Sequence, residues 1–237
     1  MALLAPVLLP QAIWVASRAM RLPEAAGPRS GILGPAPGLR VLIVGDSSAA
    51  GVGVDHQTDA LAGRLVHHLG AGHGLSWSLE AKSGWTSRQA CHALEQLAPA
   101  AVDLAVIAVG VNDVKNGVHI TKWRRNYATI LDTLRRRHGA TCCVASGVPP
   151  LGAFPLLPPP LRGVLGARAS RFDAVLANLC RDTPTALQLP FDAPVDTAQM
   201  AQDGFHPGAP VYDIWAGKVV EAARGHAPHL FSPPCRQ

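Results

Sequence analysis

The sequence has few aromatic residues, few charged residues and no cysteine pattern typical of a disulfide framework. Of its 237 residues, 5% are aromatic and 16% are charged, whereas 48% are hydrophobic. A chain of this length and composition buries a substantial core, which excludes an intrinsically disordered protein. The cysteines are odd in number and show no CxxC spacing, so we expect small core residues and a reducing compartment. They are Cys91, Cys142, Cys143, Cys180 and Cys235.

Motifs for metal and nucleic-acid chemistry are also missing. The sequence contains no HxH, DxH or HExxH pattern, so we predict no metal and no cofactor. The formal net charge is +5, but the densest basic cluster, residues 135–138, ends a helical pattern just before Gly139, where cations favour the helix dipole. A solvated helix end is therefore favoured over a patch for nucleic acid or anionic lipid, and no nucleic-acid partner is expected.

The first 21 residues are apolar but lack the features of a membrane span or a secretory signal. Residues 2–17 are short for a span and are interrupted by Pro6, Pro10 and Gln11. There is no basic segment at the start and no clear cleavage site of small residues. Three alternatives stay open for residues 1–21: a helix in peripheral contact with a membrane, a helix packed on the domain, or a cleaved or spanning signal. We expect the protein in the cytoplasm or at a membrane rather than secreted.

Proline and glycine divide the chain after this segment. We predict a linker over residues 22–38, a single catalytic domain over residues 39–228 and a C-terminal tail over residues 229–237. Within the domain, strand and helix signals alternate, which predicts a mostly parallel five-stranded sheet covered by helices on both faces. The central strand is the continuous apolar run 103–109. The proline-rich residues 148–163 predict an irregular loop.

One strand signal ends in a turn that carries a candidate nucleophile. Residues 40–53 read RVLIVGDSSAAGVG, a short apolar run followed by small and polar residues. Ser47 is thereby placed at the carboxyl end of a strand, where open α/β sheets bind their ligands. Taken alone, a serine in a glycine-rich turn is more often a cap or a turn residue.

A base and an orienting acid occur together near the end of the chain. His206 can accept and return a proton near neutral pH, and Asp203 lies three residues before it. A single turn can bring the Asp203 carboxylate to one imidazole nitrogen while the other nitrogen faces the serine. By themselves, both residues are more often caps or turn residues.

Two further turns offer donors for a developing oxyanion. Gly84 follows the second strand and lets its backbone N–H approach a substrate oxygen, and Asn112 follows the central strand with a side-chain amide. The alternatives are a loop glycine with positive φ and an asparagine that caps a turn. Asp46 and Asp113 suit acceptors for the backbone amides of their own turns.

Taken together, these four segments resemble the SGNH hydrolases, also called the GDSL esterase/lipase family. The matching blocks are GDSSAAG, the SG that ends in Gly84, GVND and DGFHP. The resemblance implies Ser47 as nucleophile and first oxyanion donor, Gly84 and Asn112 as the other donors, and Asp203 with His206 as the rest of a catalytic triad. It also implies a flavodoxin-like three-layer α/β/α sandwich. The sequence departs from the family pattern where a frequent Leu is Ser48 and where Asn-x-Gly is Ser-Gly.

The expected reaction is hydrolysis of carboxylic esters with short to medium acyl or aryl groups through an acyl-enzyme. The family that the sequence resembles includes lysophospholipases and thioesterases, so the resemblance allows either activity. The expected partner is a small-molecule or lipid ester substrate. A carbohydrate O-acetyl esterase and a non-catalytic lipid-binding module on the same fold stay open as alternatives. The apolar residues Phe154, Leu156 and Leu157 in the proline-rich loop are candidates for an acyl or aryl pocket, unless this loop merely packs on the domain.

Overall fold

The computed structural model describes residues 5–34, 38–70, 74–191 and 196–231. An N-terminal helix and strand precede an alternation of strands and helices. The elements in chain order are α1 (Ala5–Arg18), β1 (Ser30–Leu33), β2 (Leu39–Gly45), α2 (Leu61–Leu69), β3 (Leu75–Ala81), α3 (Ser87–Gln96), β4 (Leu104–Ala108), α4 (Val111–Lys115), α5 (Ile120–His138), β5 (Cys142–Ser146), α6 (Leu161–Arg181), β6 (Ala186–Leu189) and α7 (Ala209–His226).

The strands form one sheet in the order β1-β3-β2-β4-β5-β6. Strands β2 to β6 run parallel, and β1 pairs antiparallel with β3 at the edge. The predicted mostly parallel sheet between helical layers is confirmed, but it has six strands rather than five. The extra strand, Ser30–Leu33, lies inside residues 22–38, for which the sequence predicts a linker. Its four largely exposed residues carry no hydrophobic alternation, so only the pairing with β3 reveals it.

Two apolar clusters cover opposite faces of the sheet. Alternate residues of β2 and β4 face opposite sides, as the period of two in a strand requires. Thus Leu42 and Ile107 pack with α3, α5 and α6, whereas Ile43 and Val106 pack with α2 and α7. All five residues of β4 are buried, which confirms it as a central strand.

The order of the strands places a crevice at the carboxyl ends of β2 and β4. The chain leaves β2 for β3 on one side and then crosses to β4 on the other, which is a topological switch point. Gly45 ends β2 there, and a Cβ at this position would overlap the Ala49 side chain and the Ala108 carbonyl. A residue without a side chain therefore lets the turn after β2 pack directly against β4.

The cysteines of the described residues are free thiols, and three of them are buried. Cys142 and Cys143 belong to the clusters on opposite faces of the sheet, in agreement with their expected role as small core residues. Cys235 lies outside the described residues.

Helix α1 packs on the domain through Gln11 and Val15. The Gln11 side chain donates to the Pro159 carbonyl at 2.8 Å and accepts from the Leu161 amide at 3.2 Å. Val15 lies against the core on the same side. None of the helices in the described part of the chain is long and apolar enough to cross a membrane.

Candidate active site

The turn after β2 presents the Ser47 hydroxyl at the crevice. The amide of Val52 donates to the Ser47 carbonyl at 3.0 Å, and the amide of Ala50 donates to the Asp46 carbonyl at 2.9 Å. Ala49 and Ala50, within this turn, are fully buried. The small residues that follow Ser47 in the sequence therefore let this turn sit close to the core.

The Ser47 hydroxyl meets the imidazole of His206. The Ser47 Oγ lies 2.9 Å from His206 Nε2, and His206 Nδ1 lies 2.5 Å from Asp203 Oδ2. The other Asp203 oxygen accepts from the amides of Phe205 and His206, both at 2.9 Å. Gly204 adopts a φ of +64°, which lets the chain turn within this short segment. The Asp203 carboxylate, the His206 imidazole and the Ser47 hydroxyl are thus connected by two successive hydrogen bonds.

The environment of Asp203 keeps its carboxylate ionised. Burial raises the pKa of Asp203, but hydrogen bonds from the His206 side chain and from the amides of His206 and Phe205 outweigh burial. The net pKa lies below the ordinary value for aspartate. At neutral pH the carboxylate can therefore fix the imidazole and stabilise the imidazolium that forms when His206 takes a proton.

Helix α7 and the loop before it fix the side chains of Ser47 and His206 relative to each other. The Tyr212 hydroxyl, on α7, donates at 2.8 Å to the Val52 carbonyl in the turn after β2, residues 46–53, which we call the serine turn. Gly53 has a φ of +111°, and a Cβ there would overlap the Pro207 carbonyl. The amide of Ala201 donates to the His206 carbonyl at 2.9 Å. The serine turn is therefore in direct backbone contact with residues 200–208, which we call the histidine loop.

Asn112 lies in the first turn of α4, buried beside the serine turn. Its Nδ2 donates to the Trp85 carbonyl at 2.9 Å and has a longer contact of 3.5 Å with Asp46 Oδ2. One amide hydrogen is engaged by Trp85, while the long contact leaves the second able to donate to a substrate oxygen. Asn112 and Ser47 line the same cavity.

Gly84 lies in the loop after β3. Its φ is +84°, and a Cβ at this position would meet nothing within 4 Å. Glycine is therefore required by its backbone conformation and not by lack of space. Gly84 does not line the cavity that Ser47 and Asn112 line. Its link to them runs through the next residue, Trp85, whose carbonyl accepts from Asn112.

An apolar cavity extends from Ser47 toward α7. Its walls come from the ends of β4, β5 and β6, from the proline-rich loop, from the histidine loop and from one side of α7. The apolar side chains that line it are Ala108, Val109, Val111, Val148, Pro149, Phe154, Leu189, Pro190, Phe191, Met200, Phe205, Pro207, Val211, Ile214 and Trp215. A hydrocarbon or aryl group attached to a carbonyl at Ser47 would find apolar contacts along this cavity.

Of the three residues predicted to form the pocket, only Phe154 lines the cavity. Phe154 lines the cavity and packs against Phe205, with ring centroids 5.3 Å apart. Leu156 is 41% exposed and Leu157 is buried in the core, and neither lines the cavity. The Leu157 amide donates to the Phe154 carbonyl, so the chain turns between them and sends the three side chains in different directions.

The remaining walls of the cavity come from residues that the sequence analysis did not single out. Phe191 follows β6, and Ile214 and Trp215 lie on α7. Phe191 could have been predicted from the sequence, because a residue just after a parallel strand lies at the same edge of the sheet as Ser47. Trp215 was obscured by the ordinary helical spacing of α7, which does not distinguish a cavity wall from a core position.

The sequence matches the model of the GDSL-like Lipase/Acylhydrolase family over residues 43–214. The chain belongs to this family. It is therefore a carboxylic ester hydrolase, and the resemblance to the GDSL esterases and lipases is confirmed. Among functionally curated proteins, none matches this sequence.

Solved structures of esterases share the fold of this GDSL-like hydrolase. TesA is 22% identical, with 79% of this chain and 99% of that chain covered and a TM-score of 0.62. An inhibitor-bound aryl esterase from M. smegmatis is 15% identical, with coverage of 79% and 99% and a TM-score of 0.59. Axe2, an acetylxylan esterase from Geobacillus stearothermophilus, is 16% identical, with coverage of 80% and 94% and a TM-score of 0.57. Identities at this level show a shared fold and not a shared substrate.

Two further buried carboxylates hold the loops of this GDSL-like hydrolase. Asp46 accepts from the Ser48 amide at 3.1 Å, and Asp113 accepts from the amide and hydroxyl of Ser87 at 2.8 and 2.7 Å. Asp46 thus binds an amide of its own turn, as expected, whereas Asp113 binds the first residue of α3 and not its own turn. Burial raises the pKa of Asp46 to about 7, with Asp113 adding to the rise while the Ser48 amide and the Lys115 charge oppose it. Within the described ranges, no three His, Cys, Asp or Glu residues cluster as a metal site.

The raised pKa of Asp46 predicts a pH-dependent contribution to stability. An aspartate in the unfolded chain ionises near pH 3.9, at about its ordinary pKa, so between about pH 4 and 7 the folded state holds the extra proton. Asp46 therefore reduces stability as pH rises through this range. Asp46→Asn keeps an acceptor for Ser48. We expect its free energy of unfolding, minus that of the parent, to be larger at pH 8 than at pH 5, as measured by urea unfolding. An exposed control, Asp182→Asn, should show the same difference at both pH values. A difference for Asp46→Asn that is constant or falls with pH would contradict the assignment.

Proposed function

We propose that this hydrolase cleaves carboxylic esters through an acyl-enzyme on Ser47. The observation that carries the proposal is the 2.9 Å contact between Ser47 Oγ and His206 Nε2, backed by Asp203 at 2.5 Å from Nδ1. His206 takes the hydroxyl proton as Oγ forms a bond with the ester carbonyl carbon, and then gives this proton to the leaving alkoxide. Water, activated by His206, cleaves the acyl-enzyme and releases the acid.

In this proposal, three donors bind the oxyanion of each tetrahedral intermediate: the Ser47 amide, the Gly84 amide and the Asn112 side chain. The burial of Asn112 beside Ser47 supports its role. The Gly84 amide belongs to the loop whose Trp85 carbonyl holds Asn112. A lipid-binding module needs no base against a hydroxyl, so the Ser47 contact with His206 favours hydrolysis over the non-catalytic alternative.

For the substrate, we propose esters of short to medium acyl or aryl acids. The apolar lining of the cavity, which includes Phe154 and Trp215, supports this substrate class. A hydrogen bond within the protein to the serine hydroxyl beside Trp215 also supports it. The Ser146 hydroxyl, at the same cavity, accepts from Trp215 Nε1 at 3.0 Å, so it is already bonded within the protein. Asp46, Ser48 and Lys218 also line the cavity, but most of the lining is apolar, and burial of sugar hydroxyls against it without hydrogen bonds is costly. An acyl chain instead gains free energy from each buried methylene, about 0.8 kcal/mol.

The experiment is a panel of p-nitrophenyl esters from acetate to decanoate, with acetylated xylan as the carbohydrate substrate. We expect kcat/KM to rise from acetate to a medium chain length and little release of acetate from xylan. Val211 lines the cavity, so Val211→Phe should lower kcat/KM for the medium chain by about tenfold and for acetate much less.

Two controls make the panel specific. Leu156 is exposed and outside the cavity, so Leu156→Ala should leave the chain-length profile unchanged, whereas Ser47→Ala should abolish activity on all esters. Preferred release of acetate from xylan would support the carbohydrate esterase instead. Equal loss on all chain lengths in Val211→Phe would contradict the cavity as the acyl site.

We further propose peripheral membrane contact through α1, within residues 1–21. Leu9 and Ile13 lie on the face of α1 opposite Gln11, whereas Val7 and Trp14 lie nearer to Gln11 around the helix. All four apolar side chains are 47–65% exposed. Arg18 follows with its guanidinium 5.0 Å from the Trp14 ring, and no acidic residue occurs from residue 5 to residue 22. An apolar face bordered by cations suits the surface of an anionic bilayer.

This proposal predicts binding to lipid vesicles that contain phosphatidylserine. The variant Ile13→Asp with Trp14→Asp should lose cosedimentation with these vesicles while hydrolysis of a soluble p-nitrophenyl ester stays the same. The matched change Ser17→Asp keeps both exposed apolar side chains and should retain most of the binding. Equal cosedimentation of parent and double variant would contradict a membrane contact through α1.

A further inference from the structure

Residues 24–29, which we call the N-terminal strap, precede the family match at residues 43–214 yet contact two loops of the site. The strap connects α1 to the edge strand β1. It falls within the stretch predicted as a linker, but Ala25 in it is buried. A segment outside the family match that is held this closely against the site calls for a physical reason.

On one side the strap is bonded to the serine turn. The Ala25 amide donates to the Ala50 carbonyl at 3.3 Å. The buried side chain of Gln57 donates to the carbonyls of both Ala25 and Ala50, at 3.3 and 3.0 Å, and so joins the two segments. Gly51 has a φ of +83°, and a Cβ there would lie 2.7 Å from the Ala25 side chain. The strap therefore fits directly against the turn that carries Ser47.

On its other side the strap is bonded to the loop that carries Gly84. Glu24 Oε1 accepts from the Ser83 amide at 2.6 Å, and Glu24 Oε2 accepts from Arg29 at 3.1 Å. Arg29 also donates to the Ala81 carbonyl at the end of β3. Burial raises the pKa of Glu24, but the bonds from Ser83 and Arg29 outweigh it, so the net pKa lies below the ordinary value. The carboxylate is thus ionised at neutral pH and accepts strongly from Ser83.

We propose that Glu24 is a positioning residue for the oxyanion hole, because the strap fixes the Gly84 loop relative to the Ser47 turn. Gly84 has no side chain, and space is open around it, so its amide depends on neighbouring residues for its direction. Glu24 binds the amide immediately before it, and Asn112 binds the carbonyl immediately after it. The inference rests on the proposed function, since it requires the Ser47 and Gly84 amides to bind the oxyanion.

The test separates positioning from folding through the conservative variant. Glu24→Ala removes the acceptor for Ser83, and we expect kcat on a p-nitrophenyl ester to fall about tenfold or more with KM within about twofold. Oxyanion donors act mainly in the transition state, which is why kcat carries the loss. Glu24→Gln keeps an acceptor oxygen and should recover most of the lost kcat. Glu221→Gln, exposed on α7, is the matched control.

All rates are expressed per active site, counted from the burst of p-nitrophenol, and Ser47→Ala is measured in parallel. Wild-type kcat per site in Glu24→Ala, or a Glu24→Gln variant no better than Glu24→Ala, would overturn the positioning role while Ser47→Ala stays inactive. If Glu24→Ala lost activity only because fewer active sites were counted, Glu24 would have a folding role, and this too would overturn the positioning role. Retained activity in Ser47→Ala would instead overturn the proposed function.

Discussion

The site depends on one contact between two distant parts of the chain, the hydrogen bond between Ser47 and His206. The residues are 159 positions apart, and their side chains meet at 2.9 Å. The contact exists because Ser47 leaves the sheet at its switch point while α7 brings the histidine loop back across the same edge. Tyr212 on α7 is bonded to the serine turn, and Gly53 lets the two backbones touch. The positions of the Ser47 and His206 side chains thus follow from the packing of α7.

Electrostatics divides the buried carboxylates of the site into two kinds. Asp203 receives hydrogen bonds from an imidazole and two amides, and these lower its pKa despite burial. Asp46, close to the same cavity, is buried with fewer opposing contacts, and its pKa rises to about 7. The first carboxylate stays charged and can stabilise an imidazolium, whereas the second is only partly ionised at pH 7 and serves the backbone of its turn. The same functional group takes different roles because its hydrogen-bond donors differ.

Much of the site was predictable because its chemistry lies in short local patterns. A strand followed by small residues places Ser47, and the spacing of Asp203 and His206 within one turn predicts their contact, which the structure contains at 2.5 Å. The walls of the cavity were less accessible, because they depend on how distant elements pack. Phe154 faces the cavity while Leu156 and Leu157 do not, since the direction of each side chain is set by a loop without a regular period.

The edge strand β1 and the strap escaped prediction for a related reason. Ser30–Leu33 is short, largely exposed and preceded by proline and glycine, so nothing in its own residues distinguishes it from a linker. Its structure comes from pairing with β3, and the bonds of Glu24 and Ala25 are made to residues far along the chain. Local composition predicts a segment poorly when its hydrogen-bond partners, rather than its own side chains, decide its conformation.

The most direct measurement of the central claim is the covalent labelling of Ser47 by a fluorophosphonate ester. Attack by an activated hydroxyl should attach one phosphonyl group per chain, located by peptide mass spectrometry on Ser47 and not on the adjacent Ser48. His206→Ala should slow the labelling by on the order of 10³-fold, since the hydroxyl loses its base. A single adduct on Ser47 that depends on His206 is the predicted result. No adduct, an adduct on another residue, or undiminished labelling without His206 would contradict the account.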